Sequence, residues 1–266
     1  VEDDPDVGTF ITVDVQFGDS GDPDNKAYET TVPRLLDSGV QALIGAASSG
    51  VTKLFLDQAV SAGVITFSPA NTSPDFTTWD DNNLYWRTAP SDLLQGEVLG
   101  NLLAEDGHQT LGIIYLNDAY GTGLEAALTE NFEAAGGEVV ESQTYNATDT
   151  TFDAQVSAVM AANPDAIAVI GFVETSTIVP AFVAQGFDGA NFYFVDGNTS
   201  QWGADMPVSI EGSKGTQPGP VLEDDFIDRL NEWWTGEGNE ELADLNYAAE
   251  SYDAVVLLAL AALAAN

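Results

Sequence analysis

Apolar positions along this chain follow two alternating rhythms. Strand-length apolar runs occur at Phe10–Phe17, Val40–Ile44, Val64–Phe67, Leu84–Arg87, Thr110–Leu116, Glu138–Tyr145, Ala166–Phe172 and Asn191–Val195. Between them, stretches such as LLQGEVLGNLLAEDG and LEAALTENFEAAGG place apolar residues at i, i+3, i+4 and i+7, the spacing of one helix face. A further helix is expected from Val51 to Ala62, and glycines stand where helix C-termini are expected, at Gly39, Gly63, Gly107, Gly136 and Gly186. Ala166–Phe172 is apolar on both faces, as a central parallel strand must be. The alternation predicts an α/β fold with parallel sheets, and the number of strands predicts two sheets rather than one.

Two breaks divide the pattern. At Arg87–Asp92 (RTAPSD) an extended run meets Pro90, and Ser91 is placed to cap the next helix. Gly212–Pro220 (GSKGTQPGP) reads as a Gly/Pro-rich connection. The block between them is expected to fold as its own lobe, with the other lobe built from both flanks: 1–89 plus 220–266 for the first, 90–219 for the second. The apolar run Ala254–Ala265 reads as a buried amphipathic helix, too short to span a bilayer.

The candidate chemistry sits at strand ends. GAASSGVT (Gly45–Thr52) and SPANTSPDF (Ser68–Phe76) each follow an apolar run and are linked by one helix length. They deliver Ser48, Ser49, Ala70, Asn71 and Thr72 to one sheet edge, and ligands of open α/β sheets bind outside the carboxyl ends of the strands. That edge offers hydroxyls and backbone N–H groups with no acid, base or thiol, so it is suited to holding a small polar ligand rather than reacting with it.

Other positions have competing readings. GTGLEA after Tyr120 formally matches a dinucleotide-binding fingerprint, with Glu138 and Glu141 roughly 20 residues on. The turn is too long for that motif, since Asn117–Tyr120 intervene. The preferred reading is that Gly121 and Gly123 let a helix start closely under Tyr120, which projects from a strand end as a hydrogen-bonding lid. Asp196, at the end of NFYFVDG, is placed either to meet a ligand ammonium group or to cap its own turn. Glu174 reads as a helix N-terminal acid favoured by the dipole, and His108 as a solvated loop residue. GDSGDPDN (Gly18–Asn25) lacks calcium-loop spacing and reads as a turn. Zinc, hydrolase and P-loop signatures are absent, so no catalytic residue, metal or cofactor is expected. Asn71, Asn146 and Asn198 head glycosylation sequons.

Composition changes the picture in one respect. Asp and Glu number 43 against 6 Lys and Arg, a net charge of −37. The acids are scattered, which predicts a halophile's salt-screened surface and excludes nucleic acid as a partner. The chain has no cysteine, so disulfides and thiol nucleophiles are excluded. Both ends read as cut: Val1 precedes a strand and Asn266 falls within a helix.

Taken together, GAASSGVT, SPANTSPDFT, YWRTAPSD, LNDAYGTG, the strand-end VDG and NYAAESYDAVVLLA resemble the type I periplasmic binding proteins, in their branched-chain amino-acid branch. The resemblance covers nearly the whole chain. It implies two Rossmann-like α/β lobes joined by a hinge, with ligand enclosed on closure, truncated here at both ends. It further implies that Ser49, Ala70 and Thr72 hold an amino-acid carboxylate, that Tyr120 is the second-lobe tyrosine, that Asp196 pairs with the ammonium group where the best-known members carry glutamate, and that Tyr247 is an aromatic from the returning first-lobe segment. GFVETSTIV departs from the family's aromatic strand end by placing Phe172 and Val173 there. The implied partners are a small-molecule ligand, such as an amino acid, and ABC transporter permease subunits. The implied location is extracytoplasmic, with cell-surface anchoring through a segment outside this chain. A ligand-sensing domain of a regulator or receptor is the alternative, and a nucleotide-dependent enzyme a more distant one.

Overall fold

The computed structural model describes residues 12–22, 24–199 and 206–265. In chain order the first elements are α1 (Tyr28–Asp37), β1 (Ala42–Ile44), α2 (Ser49–Ser61), β2 (Ile65–Ser68), β3 (Tyr85–Arg87), α3 (Asp92–Glu105), β4 (Thr110–Leu116) and α4 (Ala119–Ala134). They continue with β5 (Glu138–Tyr145), α5 (Asp153–Ala161), β6 (Ala166–Ile170), α6 (Thr175–Ala184), β7 (Phe192–Phe194), β8 (Lys214–Gly215), α7 (Asp224–Gly236) and α8 (Ala248–Ala265). The chain divides into two compact units. One comprises Val1–Ala70, Asp80–Ala89 and Ala248–Asn266, and the other Asn71–Trp79 and Pro90–Tyr247. Residues 71–79 and 220–247 thus group with the second unit, where the sequence reading put them with the first lobe. Within the second unit, the ring of Pro74 lies against Gly123, and the Tyr247 hydroxyl reaches Asp196.

In the first unit, β1, β2 and β3 form a parallel sheet in that order. α1 and α2 bury Val32, Leu35, Val51, Phe55 and Ala59 with Leu43 and Val64. Residues 12–17 form no strand, and Val13, Val15 and Phe17 stand exposed. Alternation supplies one apolar face but no ladder partner, and none of the described strands pairs there. The start of that run, 10–11, lies outside the described residues. α8 corrects the expectation of a buried helix. It is longer than expected, 18 residues of mean hydropathy 1.6, and only Glu250 and Ala254 in it are buried. Its length and composition meet those of a membrane span, a test that core helices of soluble domains also pass.

The second unit is built on a five-stranded parallel sheet, β5-β4-β6-β7-β8. Period-two alternation sends side chains of β4 and β6 to opposite faces. Leu111, Ile113, Ala168 and Ile170 pack with α3 and α4, while Ile114, Leu116, Ile167 and Val169 pack with α5 and α6. β6 is buried at every position, as its unbroken apolar run predicts. β8 lies inside the segment read as a plain connection. It pairs through its backbone with Tyr193 and Phe194 of β7. The five glycines expected at helix C-termini all have positive φ. α3 and α4 meet backbone to backbone. A Cβ on Gly96 would lie 2.7 Å from the Leu128 nitrogen, and one on Gly100 2.8 Å from the Phe132 nitrogen.

Candidate ligand-binding site

The strand order of the second sheet reverses at β4, whose neighbours are β5 and β6. Such a switch point opens a crevice beyond the carboxyl ends of the two strands that flank it. Tyr120 follows β4 there, Phe172 follows β6, and Asp196 follows β7.

Tyr120 belongs to the first turn of α4, which starts at Ala119 rather than beneath the tyrosine as expected. Asp118 caps the helix, its Oδ1 accepting from the Gly121 nitrogen at 2.8 Å. Gly121 is required here, because a Cβ would lie 2.1 Å from the Leu116 carbonyl oxygen. Both glycines of GTGLEA are therefore helical packing positions, not a loop open to a pyrophosphate. The Tyr120 ring is buried and stacks on Phe172 with centroids 5.3 Å apart. Its hydroxyl accepts from the Gly197 nitrogen at 3.3 Å and donates to Asp196 Oδ1 at 2.7 Å. Burial first, then the negative charge of Asp196, raises the ionisation of this phenol well above its usual range, so it remains a donor.

Asp196 is the centre of the cluster, buried at 6% exposure. Oδ1 also accepts from Gln95 Nε2 at 3.1 Å, and Oδ2 accepts from the Tyr247 hydroxyl. Gln95 Nε2 donates in addition to Thr216 Oγ1 at 3.1 Å, just beyond β8. The turn-capping role considered for Asp196 is filled by Asn198. Its Oδ1 accepts from the Val195 nitrogen at 2.9 Å, and its Nδ2 donates to the Val169 carbonyl at 2.8 Å. Glu174 does more than face a helix dipole: its Oε1 accepts from the Tyr145 hydroxyl at 2.5 Å and from the Phe172 nitrogen at 3.0 Å. That pair fixes the loop carrying Phe172 against Tyr120.

The remaining expected site residues lie at the other strand ends. In the first unit Ser48 caps α2, accepting from the Val51 nitrogen at 3.3 Å, and Ser49 is buried as the helix's first residue. Ser68 Oγ donates to the Ala46 carbonyl at 2.8 Å and accepts from the Ala70 nitrogen at 3.3 Å, tying the ends of β1 and β2 together. In the second unit Asn71 and Thr72 are buried, and the Thr72 carbonyl accepts from the Asp92 nitrogen at 2.8 Å. Thus Tyr120, Asp196 and Tyr247 converge on one carboxylate, Ser48, Ser49 and Ala70 sit at the ends of the first sheet, and Asn71 and Thr72 lead into the second unit.

His108 is not simply solvated. It is half-buried, its Nε2 lies 3.0 Å from the Tyr193 hydroxyl, and that hydroxyl donates to Asp106 at 2.5 Å. This cluster is at the amino end of β4, opposite the site. Asn71 and Asn198 are fully buried, which closes those two sequons in the folded chain. Asp19, Asp22 and Asn25 bond backbone N–H groups of their own loop, as a turn reading requires. No group of side chains suited to a metal ion occurs among the described residues.

Sequence reasoning missed Gln95 and Thr216. The available signal was an inverted first turn in α3: Asp92 and Gln95 are buried, whereas Leu93 and Leu94 are exposed. Positions 92, 95, 96, 99, 100 and 103 form a single buried stripe that opens with two polar residues.

Residues 11–265 match the family model described as periplasmic binding protein. The chain belongs to that family. It is similar to the chemotactic signal transduction system substrate-binding protein BasB of Halobacterium salinarum, 28% identical over 160 residues, which cover 58% of this chain and 38% of that protein. It is also similar to the leucine-, isoleucine-, valine-, threonine- and alanine-binding protein of Pseudomonas aeruginosa, 28% identical over 144 residues, 54% of this chain and 38% of that one. The matched stretches thus span well under half the length of these relatives. Among solved structures, the leucine-binding protein LivK of Thermotoga maritima superposes with a TM-score of 0.75 at 24% identity, covering 88% of this chain and 67% of that one. LivJ of Streptococcus pneumoniae, in complex with isoleucine, gives 0.72 at 25% identity, covering 90% and 68%. The type I periplasmic binding fold suggested by the motifs is therefore borne out, and the leucine-, isoleucine- and valine-binding proteins among its relatives are of the branched-chain amino-acid group that the motifs resemble. A binding protein, not an enzyme, is what membership makes of this chain.

Proposed function

We propose that this periplasmic binding protein is the extracytoplasmic solute receptor of an ABC importer and takes an amino acid. The single observation that carries this reading is the state of Asp196. It is buried and accepts three hydrogen bonds, from Gln95, Tyr120 and Tyr247, all of them neutral donors. A buried charge is costly until a counter-charge pairs with it, and no described cation bonds Asp196. A ligand ammonium supplies that charge, and charge-assisted bonds are the strong ones. Ser49, Ala70 and Thr72 are then the groups for the ligand's carboxylate, with closure on the ligand as the working motion. The branched-chain and small amino acids named for the Pseudomonas relative support this ligand class.

Titration calorimetry in about 2 M KCl against the standard L-amino acids tests the proposal. At least one should bind, and Asp196→Asn should weaken it by about 30-fold or more, the cost of removing one partner of a buried charge pair. Unchanged affinity in the variant would sink the assignment. A second reading, delivery of the bound solute to a sensor, is favoured by one observation, the chemotactic signal transduction named for BasB. Retention of a partner signalling receptor rather than a permease by the loaded protein would select it.

A further inference from the structure

Gln95 stands beside the proposed ammonium site with one end of its amide unused. The side chain is 8% exposed. Its Nε2 is committed to Asp196 and Thr216, and its Oε1 is buried without a hydrogen-bond partner. The orientation of the amide is compelled, because an ionised carboxylate only accepts and so must face the NH2 end. Planar amide geometry places Oε1 about 2.2 Å from Nε2. With Nε2 3.1 Å from Asp196 Oδ1, the two acceptors are therefore at most about 5.3 Å apart. Two linear bonds of about 2.9 Å from a tetrahedral nitrogen span about 4.7 Å, and bending each by roughly 10° extends the span to about 5.3 Å, so a single ligand nitrogen reaches both.

An orphaned buried acceptor is expensive, and a ligand donor that reaches it relieves that cost. Neither a carboxylate, an ether nor a carbonyl on the ligand relieves it, since each only accepts. A group with at least two N–H donors does: one for Asp196 and one for Gln95. We infer that Gln95 is a specificity-determining residue of this site, its Oε1 accepting a second ammonium hydrogen so that ammonium groups with two or more N–H bonds are chosen over tertiary ones. This rests on the amino-acid reading above and deepens it.

The experiment compares the tightest-binding standard L-amino acid with its N,N-dimethyl form, which keeps a single N–H, by calorimetry in the wild type, Gln95→Met and Thr216→Val. The wild type should prefer the primary amine by about tenfold or more, the scale of one buried unpaired acceptor. Gln95→Met removes the acceptor while keeping side-chain length, and should narrow the preference to within about threefold. Thr216→Val removes a partner of Nε2 and leaves Oε1, so the preference should persist. Equal weakening of both ligands in Gln95→Met would show that Gln95 only positions Asp196, and an undiminished preference would show that water serves Oε1. Either result overturns the inference, as would a wild type indifferent to N,N-dimethylation. Failure of the wild type to bind any amino acid is a separate outcome that removes the ligand class itself and the inference with it.

Discussion

Replacing Gly96 with alanine sets two effects of opposite sign against each other. In a helix interior, alanine is favoured over glycine by about 1 kcal/mol, so an unencumbered site would gain stability. Gly96 is encumbered. Its Cβ would lie 2.6 Å from the Ala127 Cβ and 2.7 Å from both the Ala127 carbonyl carbon and the Leu128 nitrogen. Two of those three atoms are backbone and cannot swing aside, so α3 and α4 must separate by about 0.7 Å to reach ordinary contact. Separation loosens Leu99 and Leu103 from Leu124, Leu128 and Phe132, all fully buried. Overpacking of this kind costs about 1–3 kcal/mol, and a backbone clash belongs at the upper end. The net is a loss of about 2 kcal/mol, or a fall in Tm of about 4–8 °C for a protein of this size. Thermal unfolding followed by circular dichroism measures it. Gly236→Ala is the control, because no atom lies within 4 Å of a Cβ there and its Tm should hold or rise. A Gly96→Ala protein melting at or above the wild type would refute the seam argument.

Two further outcomes follow from buried and surface charge. Burial, then the charge of Glu174, raises the ionisation of the Tyr145 phenol far above its free value. A group whose folded value is raised contributes stability in full below its unfolded value, about 10 for tyrosine, and loses it as pH rises beyond. Tm should therefore be level to about pH 9 and fall above 10, and Tyr145→Phe should lessen that fall; an identical alkaline profile in the variant would count against the buried-phenol account. With 43 acidic against 6 basic residues, Tm should climb as KCl is raised from about 0.1 to 2 M, because screening shortens the range of self-repulsion. A Tm indifferent to salt would mean that surface repulsion contributes little to stability.

What could be read from the residues follows from how each element is stabilised. β4 and β5 coincide with their predicted bounds because long apolar or alternating runs with glycine-terminated helices on either side leave little choice. β8 was invisible for the opposite reason. Lys214 and Gly215 are both exposed and pair with β7 through backbone groups, which no apolar pattern encodes. At 12–17 the pattern was present but its ladder partner was not. α8 was read as buried because apolar content usually marks the core, yet Leu257 and Leu260 stand about half exposed. In the site, Asp196, Tyr120 and Tyr247 were nameable through motif resemblance. Gln95 was hidden inside a helix whose leucines drew attention to the wrong face.

The ring of donors around Asp196 also dates the site within the life of the chain. Its partners lie 101, 76 and 51 residues away in sequence, at Gln95, Tyr120 and Tyr247. Each contact closes a long loop whose entropy must already have been met by the sheet between them. A chain emerging from the ribosome can therefore assemble β4 through β8 while the carboxylate still lacks its last donor, and the site is complete only after Tyr247 has cleared the exit tunnel. Ligand capture during refolding should then trail the recovery of helix and sheet signal, so that binding reports the finished protein rather than its parts.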